Sequence, residues 1–311
     1  MVGALTSAAM ASPEFHALAE RMAASPAPPP GETLPEQRAR IDAAMSQIPV
    51  PEGVVAVEGR IGGIPAIECV PEGGTDALPV VLYLHGGGFR IASALAYRAY
   101  TSHLAAVIGA RVVSVDYRLA PEHPHPAAIE DVVTAYRALL DEGIPAARIV
   151  VAGDSAGGGL AASLVLLARA EGLRLPAGVV CCSPWVDLTV SAASYQTNAD
   201  TDRLFSRESA ATAAASYLAG HDPHDPMVSP VFGNWQGGSP MLIQVGDVEV
   251  LLDDALRLAA RAHEAGVDVT LHVEPEMPHI WPMSYPAFPE AVAAVEQIAA
   301  FVHRVTGASG G

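Results

Sequence analysis

The sequence predicts an α/β fold, a mostly parallel sheet with helices on both faces. Strand-length apolar runs recur along most of the 311 residues, and Ala/Leu-rich helical stretches separate them. Half of the chain is hydrophobic and only 16% is charged, enough apolar material for a sizeable core and too little charge for disorder. The length suits one large domain with a smaller attached cap.

Residues 1–50 read as helical in two pieces, Pro13–Ala24 and Leu34–Ile48, split by the Pro-rich break SPAPPPGE. From Val54 the period changes. Val54–Glu58 and Ile64–Val70 flank Gly62-Gly63 and predict a hairpin. Further strands are predicted at Val80–Leu84, Arg111–Val115, Arg148–Ala152, Ala177–Cys182, Met241–Val245 and Val267–Val273. Helices are predicted at Ala127–Glu142, Ala156–Glu171, Asp254–Ala265 and Pro289–Val305. Between Cys182 and Pro240 there is no strand pattern, only a polar loop and a helical run near Arg207–Leu218. An insertion there belongs above the sheet, where open α/β folds bind ligands. The expected division is a first cap part at 1–50, core at 51–184, a cap insertion at 185–238 and core again at 239–311.

Charge and composition exclude several functions. Seventeen basic residues oppose 34 acidic ones, a net charge of −17 that repels phosphate backbones and anionic membranes, so nucleic acid is not an expected partner. All the basic residues are Arg; without Lys there is neither a Walker-type phosphate loop nor a Schiff-base mechanism. Cys69, Cys181 and Cys182 read as buried thiols of a reducing compartment. The first residues lack the pattern of a secretion signal, and no run is apolar enough to span a membrane, so the expected location is the cytoplasm.

Two motifs carry the chemistry. A strand runs into Gly153-Asp-Ser155-Ala-Gly157, and a helix pattern follows. A serine hydroxyl attacks well only when it is exposed beside a base. A sharp strand-to-helix turn with small neighbours presents it that way, while the helix N-terminus aims N–H groups at developing negative charge. Ser155 is therefore the candidate nucleophile. A second strand ends in His85-Gly86-Gly87-Gly88. Glycines let backbone N–H groups approach an oxyanion to about 3 Å. The N–H groups of Gly87, Gly88 and Ala156 are the candidate oxyanion hole, with His85 as a brace for the loop.

These two motifs, in this order, resemble the hormone-sensitive-lipase-like (family IV) bacterial esterases of the α/β-hydrolase superfamily. Asp116-Tyr-Arg-Leu-Ala-Pro-Glu122 and Ser183-Pro-Trp-Val-Asp187 are similar to the same family's segments, and the resemblance covers roughly residues 50 to 305. It implies an eight-stranded α/β-hydrolase fold with a helical cap, short-chain acyl esters as substrates, and pairing into a homodimer through the C-terminal strand and helix.

In such folds the base and acid follow the serine, in the order acid, then histidine. His279, on a turn after the last predicted strand, is the candidate base; His272 and His303 fall inside a strand and a helix. The loop after Met241–Val245 offers Asp247 and Glu249 as acids. By the family pattern Glu249 takes the place where Asp is commoner, with Asp247 as the alternative. Asp253 and Asp254 read as helix N-terminal acids.

Other features are read as structural. His123 and His125, and His221, His224 and Asp225, sit in Pro-dominated segments without metal-ligand spacing, so neither metal nor cofactor is expected. Asp116, Asp131, Asp154 and Asp187 read as loop-holding carboxylates. Asp200, Asp202, Arg203 and Arg207 read as solvated cap surface. Trp185, Tyr195, Phe205 and Met283 are open between pocket lining and core. The predicted activity is that of a serine carboxylesterase acting through an acyl-enzyme. The alternatives are an amidase, lactonase or acyltransferase using the same site, or a binding protein that does not hydrolyse.

Overall fold

The computed structural model describes residues 5–6, 10–24, 29, 31–75 and 77–308. Most of the Pro-rich break, at 25–28 and 30, lies outside them.

The strands are β1 (Leu5–Thr6), β2 (Val54–Ile61), β3 (Ile64–Pro71), β4 (Val80–Leu84), β5 (Arg111–Val115), β6 (Ile149–Asp154), β7 (Gly178–Cys182), β8 (Met241–Gly246) and β9 (Val269–Glu274). They form one sheet in the order β1-β9-β8-β7-β6-β4-β5-β3-β2. The hairpin β2–β3 and the pair β3–β5 are antiparallel, and the rest is parallel. Eight of these are the expected strands. The two-residue β1 adds an edge beside β9, too short a piece for any pattern to announce.

Both faces are covered. β4 and β6–β8 are buried along their whole length because helices cover both faces of the sheet. Leu82, Leu84, Val151, Cys181 and Ile243 pack on one side with α4 (Ala127–Asp141), α5 (Ala156–Ala170) and α8 (Leu252–Glu264). Val81, Tyr83, Val150, Cys182 and Leu242 pack on the other with α3 (Ala94–Ile108) and α9 (Pro289–Thr306). Cys181 and Cys182 thus point to opposite faces, and all three cysteines are free and buried.

The N-terminal helices are docked on the core. On α1 (Pro13–Ala23), Phe15 meets Phe288 edge-on at 5.3 Å, and the capping Ser12 donates from its hydroxyl to Glu290 at 2.7 Å. On α2 (Leu34–Met45), Arg38 donates to the carbonyls of Arg90 and Ala120 and pairs with Glu122. Between β7 and β8 lie the one-turn α6 (Ser194–Thr197), α7 (Arg207–Leu218) and irregular chain. Among the described residues no helix is long and apolar enough to cross a membrane.

Candidate active site

Ser155 sits between β6 and α5 with φ 52° and ψ −122°, a conformation that costs a non-glycine residue about 1–3 kcal/mol. Neighbouring backbone holds the turn in place. Ser155 N–H donates to Cys182 O at 2.9 Å, and its carbonyl accepts from Trp185 N–H at 2.9 Å. The flanking glycines are required by contact. A Cβ at Gly153 would overlap the Gly157 carbonyl, and one at Gly157 would overlap the carbonyls of Leu84 and His85. The turn is therefore pressed against the end of β4, which brings the two glycine motifs together.

The loop after β4 has its own braces. Gly86 N–H donates to Tyr97 Oη at 3.1 Å, so it is already used. The N–H groups of Gly87 and Gly88 have no partner in the chain among the described residues. Gly87 lies at φ 107°, and a Cβ there would strike the Ile91 carbonyl. His85 is buried and stacks on Tyr117 with centroids 4.3 Å apart; its Nδ1 meets Gly86 O at 2.7 Å. Burial pushes its pKa down to about 4, so it stays neutral. Asp154, behind the serine, accepts hydroxyl protons from Tyr83 and Tyr97 at 2.7 Å each, and burial raises its pKa to about 6.

His279 lies on the loop between β9 and α9. Its Nε2 is 2.9 Å from Ser155 Oγ and its Nδ1 is 2.8 Å from Glu249 Oε2. With Glu249 ionised, Nδ1–H donates to the carboxylate, which leaves Nε2 to accept from the serine hydroxyl. Glu249 is fully buried. Its other oxygen, Oε1, accepts from Ser183 Oγ at 2.7 Å and from Gly246 N–H at 2.6 Å. Asp247 is exposed, and its carboxylate accepts the Glu276 N–H at 2.7 Å instead. His272 is half-buried in β9, and His303 on α9 bonds to Ile108 O. Burial alone would push the His279 pKa down. The hydrogen bond and charge of Glu249, with the charges of Asp202 and Asp154, outweigh it, and the net shift is upward from 6.5.

Four residues around the acid were not read as part of the site from the sequence. Asp202, expected on the solvated surface, is buried. Its Oδ2 accepts from Val250 N–H at 2.9 Å, and its Oδ1 from the N–H groups of Leu204 and Phe205. The reason is a turn in which the aspartate side chain takes the backbone N–H groups just after it, which a polar stretch of sequence does not announce. Asn198 Nδ2 donates to the carbonyls of Asp247 and Glu249, and Thr201 donates to that of Val248. Ser183 completes the set, taking Ile280 N–H at 3.0 Å while holding Glu249. Asp200, Arg203 and Arg207 are exposed as expected.

The four aromatic and sulfur side chains divide. Phe205 stacks on His279, centroids 5.6 Å apart, and Trp185 meets Phe205 edge-on. Tyr195 is core, and Met283 packs against the α3–α9 side. Asp187 holds Thr189 and Arg257, Asp131 holds Arg118, and Asp116 holds Ala94 N–H. Asp254, at the start of α8, does more than face a helix dipole. Fully buried, it accepts from the N–H groups of Val186 and Asp187, and burial raises its pKa to about 8.

A family profile described as the alpha/beta hydrolase fold matches residues 81–283. The chain belongs to that family. This α/β hydrolase is 40% identical over 300 residues to an acetyl-hydrolase of Streptomyces hygroscopicus, across 96% of this chain and 99% of the other. It is 37% identical over 243 residues to an esterase of Acinetobacter venetianus, covering 78% and 80% of the two chains. A crystal structure of an esterase from the bacterial hormone-sensitive lipase family superposes with a TM-score of 0.89 at 39% identity, covering 96% of this chain and all of that one. The α/β hydrolase is thus a carboxylic-ester hydrolase of the hormone-sensitive-lipase-like group.

Proposed function

We propose that the enzyme hydrolyses short-chain acyl esters through a Ser155–His279–Glu249 triad and an acyl-enzyme. One observation carries the reading: the continuous hydrogen-bonded line from Ser155 Oγ through both nitrogens of His279 to buried Glu249. In this reading Glu249 holds the imidazole and stabilises the imidazolium. His279 takes the Ser155 proton as Oγ attacks the ester carbonyl. The N–H groups of Gly87, Gly88 and Ala156 receive the oxyanion, each such donor being worth about 2.7–4 kcal/mol in comparable sites. His279 then protonates the leaving alcohol, and water cleaves the acyl-enzyme by the same route.

The acyl group is proposed to be short because Phe205 lies over His279 and the relative from Streptomyces is named an acetyl-hydrolase. Residues 1–50 and 185–238 are proposed as the cap that sets this limit. The test is a ladder of p-nitrophenyl esters from acetate to palmitate. Fast turnover of acetate and butyrate that falls steeply with longer chains is expected. Equal turnover of palmitate would overturn the chain-length reading, and no turnover of any ester would overturn the hydrolytic one.

A further inference from the structure

Two segments read separately in the sequence meet in space. His125 lies in the loop before α4, in the core. His221 and Asp225, four residues apart, lie in the chain that follows α7, in the insertion. Neither segment alone offers a ligand set, so the pattern PEHPHP…HDPHDP gave no sign of a metal. Folded, a ring nitrogen of each histidine and a carboxylate oxygen of Asp225 all lie within 4.8 Å of one another. The two imidazoles are 4.5 Å apart between centroids, and His221 Nε2 is 2.7 Å from Asp225 Oδ2.

Two of the three ligands are held by a second contact, as metal ligands usually are. The Oδ1 of Asp225 accepts Met227 N–H at 2.9 Å, which turns Oδ2 toward the histidines. His125 donates its backbone N–H to Tyr217 O at 2.8 Å, and its Nδ1 meets Tyr217 Oη at 3.4 Å. Ligand atoms around a small ion with bonds of about 2.0–2.2 Å sit roughly 3–3.5 Å apart, so from separations of up to 4.8 Å the group must close by up to about 1.3–1.8 Å. His221 is exposed, and His125 and Asp225 are half-buried.

We propose that His125, His221 and Asp225 form a binding site for a divalent first-row transition-metal ion such as Zn²⁺, which pins the insertion to the core. Two imidazoles and one carboxylate suit Zn²⁺, Co²⁺, Ni²⁺ or Cu²⁺ and disfavour Mg²⁺ and Ca²⁺, which take oxygen ligands. The position gives the ion a consequence. Tyr217, just ahead of His221, stacks on Phe89 with centroids 3.8 Å apart, and Phe89 directly follows Gly88. A bound ion holds the end of α7 over the loop that carries Gly87 and Gly88. The proposal stands on these ligands alone and does not depend on the triad.

The experiment uses the full chain, stripped with chelator and dialysed, titrated with Zn²⁺ by calorimetry and with Co²⁺ by visible absorption. Wild type is expected to take up one ion at this site and to melt at a higher temperature with Zn²⁺ but not with Mg²⁺. His125→Ala, His221→Ala and the isosteric Asp225→Asn should each weaken binding by about 100-fold or more, above the roughly 10–100-fold typical of an outer partner. The metal-free melting of His221→Ala and Asp225→Asn should stay near that of wild type, because His221 is exposed and Asp225→Asn keeps an acceptor for Met227. No uptake of either ion by wild type overturns the proposal, as does uptake by the three variants with wild-type stoichiometry and affinity.

Discussion

Ser155 and the glycines of the loop after β4 are placed by backbone, whereas Glu249 and His279 are placed by side chains. On the first side, the end of β6 lies against the end of β4, and contacts between glycines and carbonyls set the geometry. On the second, Ser183, Asn198, Thr201 and Asp202 reach across from the segment after β7 to clamp residues 247–250. The difference is one of adjustability. In the proposed triad the nucleophile is positioned by backbone, while the acid and base are held by side chains and can be tuned by residues that never touch substrate.

Substitutions sharpen that contrast, and the largest effect belongs to the nucleophile. Ser155→Ala should lower kcat by about 10⁴–10⁶-fold, leaving only binding and the oxyanion donors; steady-state p-nitrophenyl acetate kinetics measures it. Glu249→Gln should lower kcat by roughly 10³–10⁴-fold, because the imidazole loses its orienting carboxylate, while Asp247→Asn stays within about twofold. Equal losses in both would break the assignment of the acid.

Asp202→Asn should cost about tenfold in kcat, on the order of 1.4 kcal/mol, through the loosened Val250 contact. It also carries a sign. His279 must be neutral to act as base, so kcat/KM rises with pH through the His279 pKa, which lies above 6.5. Removing a nearby negative charge destabilises the imidazolium and moves that inflection to lower pH. A pH–rate profile that shifts upward, or not at all, contradicts the electrostatic role of Asp202. Asn198→Ala should have the smallest effect, about two- to fivefold in kcat with little change in KM, since Thr201 still holds the same loop.

The same division explains what could be read from the sequence. The central strands were legible because a strand buried on both faces is an apolar run, and Val80–Leu84 has the same bounds in the structure. Ser155, His279 and both candidate acids sit in local patterns, so each could be named. The clamps could not. Asp202 and Asn198 are polar residues in a polar insertion, and their role exists only after residues 198–205 fold over residues 247–250. The His125–His221–Asp225 group was hidden for the same reason, its ligands being split between two loops. Helix α3 carries no strong amphipathic stripe because sheet, α2 and α9 bury it from several sides.

The most direct test of the triad is labelling with a fluorophosphonate, followed by peptide mapping of the adduct. The account predicts one adduct per chain, on Ser155, formed quickly by wild type and at least about 10²-fold more slowly by Glu249→Gln, because attack needs the oriented base. An adduct on another residue, or a Glu249→Gln rate equal to wild type, would contradict it.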